Sequence, residues 1–324
     1  MGIDQYNTIG GVETMMSARF TPWHGLSDFK VRTEERVTDA NYALGLGGIN
    51  WKVSERLLSD IIPNPLAEEH KMRVRDTDGA ILGIGSPRYG LIQNDALASL
   101  SSAIVQFRPD AHIESCGALF HGKVVWMLIA LDDEVRSFSN GDEKQFRYML
   151  VYTSHDGSKP FAVRFTNVRV ECMNTFSMAM GRASQMVHTV RHTSNALQYV
   201  KEAEDAVKAA VQTFDLLDME IERLLSAELD QKATMNVFKT VLGDRPDEKG
   251  RALTMWDNAF DSIVAEFKAD HNDNIRGTAW GAVMAVNGYE LWGQTVRGQK
   301  REEKQFKALL DGKYPLTQKV LEIV

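Results

Sequence analysis

The stretch FRYMLVYTSHDGSKPFAVRFTNVRVECMNT, residues 146–175, decides how the rest of the chain is read. Phe146 to Tyr152 and Phe161 to Cys172 are runs of aromatic and β-branched residues. Between them lies SHDGS, whose Asp156-Gly157 pair is a strong hairpin-turn signal. The stretch therefore predicts two strands joined by a tight turn, with a short helix after Cys172.

Two hairpins of the same kind precede it. Met72 to Val74 and Ala80 to Gly85 flank Asp78-Gly79, and Ala111 to Leu119 and Val124 to Leu131 flank FHGK. VVWMLIAL is apolar at every position, which predicts a central strand. Trp51 to Leu58 predicts a further strand, broken by the Pro63–Pro65 pair. Helices are expected over Thr33 to Leu46, capped by Thr33, and from Asn94 or Asp95 to about Val105. Beyond Asn195 the apolar spacing becomes three and four. It predicts helices over 196–229, 231–242, 251–268, 276–294 and 302–310, and a final amphipathic turn after Pro315. RGTAWGAVMAVNG is rich in Gly and Ala, so close packing of another element is expected there. The class is α+β: an antiparallel, hairpin-rich sheet with helices on one face, followed by a helical C-terminal part. The expected division is an extension over 1–30, a core domain over 31–194 and a helical region over 195–324.

Composition narrows the function classes. The net charge is -7 over 324 residues, so an all-over polycation is excluded and any nucleic-acid contact must be local. Such a patch is present. Lys159, Arg164, Arg169, Arg182 and Arg191 face one acid, Glu171, within residues 159–191. Cys116 and Cys172 form no CxxC, which points to a reducing cytosol. The N-terminal residues carry neither a signal-peptide pattern nor a myristoylation signal, and no apolar run reaches the roughly 18 residues of a membrane span. A cytoplasmic protein without a membrane partner is expected.

On the strand FAVRFTNVRVEC, a bulge at Asn167 would bring Arg164 and Arg169 to one face. With Asn174, Thr175, Arg182, Arg191 and His192 they form a set suited to phosphate oxygens. Trp23, Tyr89 and Phe120 are candidate platforms for stacking bases. The competing reading makes each arginine an ordinary ion-paired or snorkelling side chain, and Trp23 a plug in the core. Cys172 reads as a small buried hydrophobe rather than a nucleophile. His188 and His192 are four apart but lack an HExxH context, so no metal is expected. There is no GxxxxGK[ST], and LGLGGI and LGIGS read as turns, so no nucleotide cofactor is expected.

Several segments together resemble one family, the phage/plasmid-like proteins, a domain of unknown function widespread on bacteriophages and plasmids. The matching pieces are TPWHGL at 21–26, SPRYGLIQN at 86–94, GALFHGKVVWMLIAL at 117–131 and TSHDGS at 153–158. They continue with the arginine-led RVECMNT block ending at Thr175, RHT at 191–193 and GTAWGAVMAV at 277–286. NGYELWG at 287–293 departs from the Thr-Glu-Tyr run and following His more usual in that family. The resemblance implies a mobile-element protein and supplies no catalytic residues.

Three functions are compatible with these residues. The first is a nucleic-acid-binding protein, in particular a single-stranded DNA binding or annealing factor that forms homo-oligomers. The second is an enzyme on a phosphorylated small molecule or nucleotide, with His192 or Cys172 in acid–base or nucleophilic roles. The third is a host-takeover or scaffold protein without a ligand.

Overall fold

The computed structural model describes residues 15–17, 30–32, 36–132, 136–138, 143–169, 175–176, 188–190, 192, 213–247, 249–296, 301–311 and 313–324. In chain order these form β1 (Met15–Ser17), β2 (Lys30–Arg32), α1 (Ala40–Leu46), β3 (Val53–Leu57), β4 (Lys71–Arg75), β5 (Ile81–Gly85) and α2 (Asp95–Phe107). Then come β6 (His112–Leu119), β7 (Val124–Ala130), β8 (Arg136–Phe138), β9 (Glu143–Ser154), β10 (Phe161–Arg169), β11 (Thr175–Phe176) and β12 (His188–Val190). The helices α3 (Thr213–Ser226), α4 (Gln231–Leu242), α5 (Arg251–Lys268), α6 (Ala279–Gly288), α7 (Arg301–Asp311) and α8 (Pro315–Ile323) complete the α+β fold.

The chain divides into two compact units. The first holds residues 1–133, 148–165 and 185–211, and the second holds 134–147, 166–184 and 212–324. The boundary falls within β9 and β10.

In the first unit, β6 pairs antiparallel with β1 and with β7, and β7 pairs antiparallel with Tyr148–Ser154 of β9. β6 and β7 are buried along their whole lengths, so the all-apolar VVWMLIA segment is a central strand, as its composition dictates. α1 and α2 pack against these strands. A separate antiparallel sheet runs β3-β4-β5. Asp78-Gly79 and Asp156-Gly157 make the turns expected of them, with Gly79 at φ 75° and Gly157 at φ 80°. The FHGK turn takes an unusual backbone path: Phe120, His121 and Gly122 all have positive φ.

Several expectations are corrected. α1 begins at Ala40, not near Thr33, because Asp39 is the cap and accepts from the Asn41 and Tyr42 amides. Val37 lies before it in an isolated bridge to Ile113. Asn94 precedes α2 without capping it, since its side chain is used elsewhere, as described below. Thr175 and Phe176 do not begin a helix. They pair antiparallel with Val168 and Asn167, because β10 offers them an open ladder. The expected bulge at Asn167 is absent from that ladder, where Asn167 and Val168 take successive partners.

The second unit is organised on α6, every residue of which is buried, with α3, α4, α5 and α8 packed around it. The close approach expected of its small residues is present. A methyl on Gly281 would collide with the Ile275 carbonyl, and one on Gly288 with the Glu266 side chain. The single helix expected over 276–294 instead ends at Gly288 and runs on as a π-helical turn, Tyr289–Gly293. That turn aims the buried Glu290 carboxylate at the start of α8, where it accepts from the Leu316 amide (3.1 Å), the Thr317 amide (3.0 Å) and Thr317 Oγ1 (2.7 Å). Arg301 at the head of α7 donates to the carbonyls of Leu291, Trp292 and Gln294 that this turn leaves open.

Candidate functional site

The SPRYG and SHDGS loops of the first unit meet at Arg73. β4 reads KMRVR, so Arg73 and Arg75 share one face of the small sheet while Met72 and Val74 share the other. Both arginines are buried. Arg75 is matched by Asp78, through Nε to Oδ1 (2.9 Å) and Nη2 to Oδ2 (2.7 Å). Arg73 is matched less completely. Its Nη1 donates to the His155 carbonyl at 3.4 Å, and its Nε lies 3.8 Å from Glu55 Oε1. Among the described residues, Nε and Nη2 have no hydrogen-bond acceptor. Burial lowers the pKa of the guanidinium, with Tyr89, Glu55 and Asp156 acting the other way.

The guanidinium finds its main company in a ring. Arg73 Cζ sits 3.6 Å from the centroid of Tyr89, and His192 stacks on Tyr89 at 4.4 Å with 7° between planes. Two groups at such distances occupy opposite faces, so Tyr89 is sandwiched. Its hydroxyl donates to the Ser154 carbonyl at 2.7 Å, and burial pushes that hydroxyl up to about 12. A nucleobase would have to displace one of the two neighbours to stack here. Gly85 makes room for the sandwich, since a Cβ there would lie 3.2 Å from Arg73 Nη1 and Nη2. Gly83 lets the SHDGS loop approach, since its Cβ would sit 2.6 Å from Asp156 Cα.

Both histidines are held as neutral rings. His192 Nδ1 contacts the Gly90 carbonyl (3.0 Å), so it must carry the proton, and Nε2 accepts from Thr153 Oγ1 (3.1 Å). The Gly90 amide donates back to the His192 carbonyl at 3.1 Å, closing a reciprocal clamp. Burial lowers the His192 pKa. His155 is fully buried edge-on to Trp51, its ring centroid 5.4 Å away, and burial takes its pKa down to about 3. Its Nε2 donates to Asn94 Oδ1 (2.8 Å), while Asn94 Nδ2 donates to the carbonyls of Ile49 (2.8 Å) and Trp51 (3.3 Å). Among the described residues, His155 Nδ1 has no hydrogen-bond partner. The His155 amide donates to the Lys123 carbonyl (2.7 Å), which ties the FHGK turn to the same centre.

The arrangement is an internal lock. It joins SPRYG, SHDGS, FHGK and His192, which lie far apart in sequence. It spends both imidazoles on positioning, and neither is placed for acid–base work. Around it, Arg88 is exposed, and Lys123, Lys159 and Arg164 are partly exposed. Arg164 Nε donates to Tyr152 Oη at 3.1 Å. Ser154 Oγ donates to the Lys159 carbonyl (2.8 Å), and β12 pairs with Phe161–Val163 just before Arg164.

Of the residues singled out from sequence, Tyr89 and His192 are therefore in direct contact, while Arg164 bonds Tyr152 on the adjoining strand. Phe120 is part-exposed in the FHGK turn. Arg169 and Thr175 are described as strand backbone only, and Trp23, Asn174, Arg182, Arg191 and Cys172 lie outside the described residues. His188 is in a strand, which removes the helical spacing to His192. Among the described residues no His, Cys, Asp or Glu cluster could hold a metal ion, and no helix is long and apolar enough to cross a membrane. Sequence reasoning missed Arg73 and read Asn94 only as a possible helix cap. The one available signal was the alternation of arginine with apolar residues in MRVR, which predicts a cationic face on a strand.

A family model described as "Domain of unknown function (DUF932)" matches residues 81–310. No curated protein and no solved structure matches the chain.

Proposed function

We propose, for a chain that belongs to the DUF932 family of domains of unknown function, a nucleic-acid-binding role on single strands, in the recombination or replication of a phage or plasmid within the bacterial cytoplasm. The observation that carries this reading is the lock around Tyr89. Its bonds to Ser154 and His192 hold together the segments that bear Arg88, Lys159 and Arg164. Those segments open the cationic stretch 159–191, which has four more basic than acidic residues. Arginine and lysine side chains on a rigid antiparallel scaffold suit a flexible polyanion, whose affinity comes mainly from phosphate contacts. Phe120, part-exposed in its turn, is the remaining described candidate for stacking a base. The phage or plasmid setting rests on the sequence resemblance.

The catalytic alternative has less behind it. His192 was its base, and both nitrogens of that ring are already bonded within the protein.

Fluorescence anisotropy with a labelled oligothymidylate tests the proposal. Binding is expected to weaken steeply between about 50 and 200 mM salt, and Arg164→Ala should flatten the logarithmic salt slope by about 0.7, one single-strand phosphate contact. Absence of binding at about 50 mM salt would remove the reading.

A further inference from the structure

The hairpin connecting β3 and β4 carries an apolar tip that its own hydrogen bonds hold toward solvent. Its sequence is LLSDIIPNPLAEEH, residues 57–70. The Leu58 amide bonds the His70 carbonyl at its base, and the Ile61 and Ile62 amides both bond the Leu58 carbonyl. Asn64 Oδ1 accepts from the Leu66 amide, and His70 Nδ1 donates to the Leu66 carbonyl. Pro63 and Pro65 stiffen the tip further. Ala67 points inward, yet Leu66 is 72% and Ile61 62% exposed, with Ile62 and Leu57 also exposed. Local bonding of this density fixes the apolar side chains outward rather than leaving them free to collapse onto the protein. Contiguous exposed aliphatics on a rigid element mark a contact surface.

The same small sheet carries exposed cationic and apolar side chains on its two flanking strands. Arg56, Met72 and Ile84 align across it in one row, and Ser54, Val74 and Ile81 in the next. Met72 and Val74 are covered, but Ile81 and Ile84 on the edge strand are 51% and 50% exposed, and the edge strand carries no charge. The one charged residue of these six is Arg56, which is exposed. The tip has the opposite character: Asp60, Glu68 and Glu69 are exposed, and residues 57–70 contain no lysine or arginine.

We infer that the partner of the 57–70 tip is a second copy of this chain, the acidic apolar tip of one molecule seating on the Arg56–Ile81–Ile84 face of the next. Two different patches on one molecule that complement each other make a head-to-tail contact, which generates rings or filaments rather than a closed twofold dimer. This inference is independent of the nucleic-acid reading, since it uses none of the residues proposed there.

Sedimentation velocity of the full chain over a concentration series tests it. Self-association is expected for the native sequence. It should weaken at least tenfold in the tip variant Ile61→Asp/Leu66→Asp and equally in the face variant Ile84→Asp. All substituted side chains are exposed, and unchanged circular dichroism would verify that the variants fold. Mixing the tip variant with the face variant should restore a dimer, because each then supplies the surface that the other lacks. A monomer at every concentration, or association unaffected by either variant, would overturn the inference. Failure of the mixture to associate would overturn the tip-on-face arrangement.

Discussion

Tyr89 and His192 stack face to face with ring centroids 4.4 Å apart, and the free face of the tyrosine is covered by Arg73. The three side chains come from a loop, a segment beyond β12 and the centre of β4, so the stack is a joint among distant parts of the first unit.

Removing that part-buried ring should therefore approach the cost of a core aromatic. Tyr89→Ala is expected to destabilise the protein by about 3–5 kcal/mol. Tyr89→Phe loses only the bond to the Ser154 carbonyl and should cost about 1 kcal/mol. Urea denaturation of the two variants checks the ratio. Equal losses would mean that the hydroxyl, not the stack, matters.

His155 links stability to pH. Its pKa is about 3 in the folded protein, against the ordinary imidazole value near 6.5 in the unfolded chain. The unfolded state thus binds the extra proton first. The neutral ring's contribution is complete above about pH 6.5 and is lost as pH falls toward 3, at about 1.4 kcal/mol per unit. His192, also lowered, adds in the same direction. His155→Gln keeps a donor for Asn94 without a titrating ring. It should flatten the decline in denaturation midpoint between pH 6.5 and 4.5, and an unchanged profile would contradict the assignment.

Gly83 is set by space rather than by backbone conformation. An alanine methyl there would meet the backbone of Asp156, which cannot swing aside as a flexible side chain can. Gly83→Ala should cost about 1–3 kcal/mol by displacing the SHDGS loop. Gly79→Ala meets nothing in space and should act only through its positive φ, by about 1 kcal/mol. Thermal melts of both distinguish crowding from strain.

In the second unit Glu290 should be more costly to replace than its surface charge count suggests. Glu290→Ala leaves the Leu316 and Thr317 amides and the Thr317 hydroxyl without their acceptor. A loss of about 2–3 kcal/mol is expected, with Glu290→Gln retaining part of it. Amide hydrogen exchange across α8 would report the fraying directly.

The hairpins and most helices were legible because their signals are local. Asp78-Gly79 and Asp156-Gly157 specify turns whatever lies elsewhere, and α4, α5 and α7 follow their apolar spacing to within a residue. The start of α1 was misread because Thr33 and Asp39 are both acceptable caps, and the Val37–Ile113 bridge, a tertiary contact, decides between them. Thr175 was misread for the same reason: its strand exists only because Val168 lies opposite. The candidate site was half legible. Arg164 and His192 stood out by composition. That His192 is a strut rather than a ligand depends on Gly90 and Thr153, to which no periodicity points.

The clamp between Gly90 and His192 also governs how the protein is made. Residue 192 must leave the ribosome before the sandwich around Tyr89 can close, so this joint waits for a contact of long sequence separation. During that interval the groups this joint will cover are open to chaperones and to other nascent chains. Expression yield should accordingly respond more to holdase capacity, and to translation speed through the middle of the message, than to the stability of the finished fold.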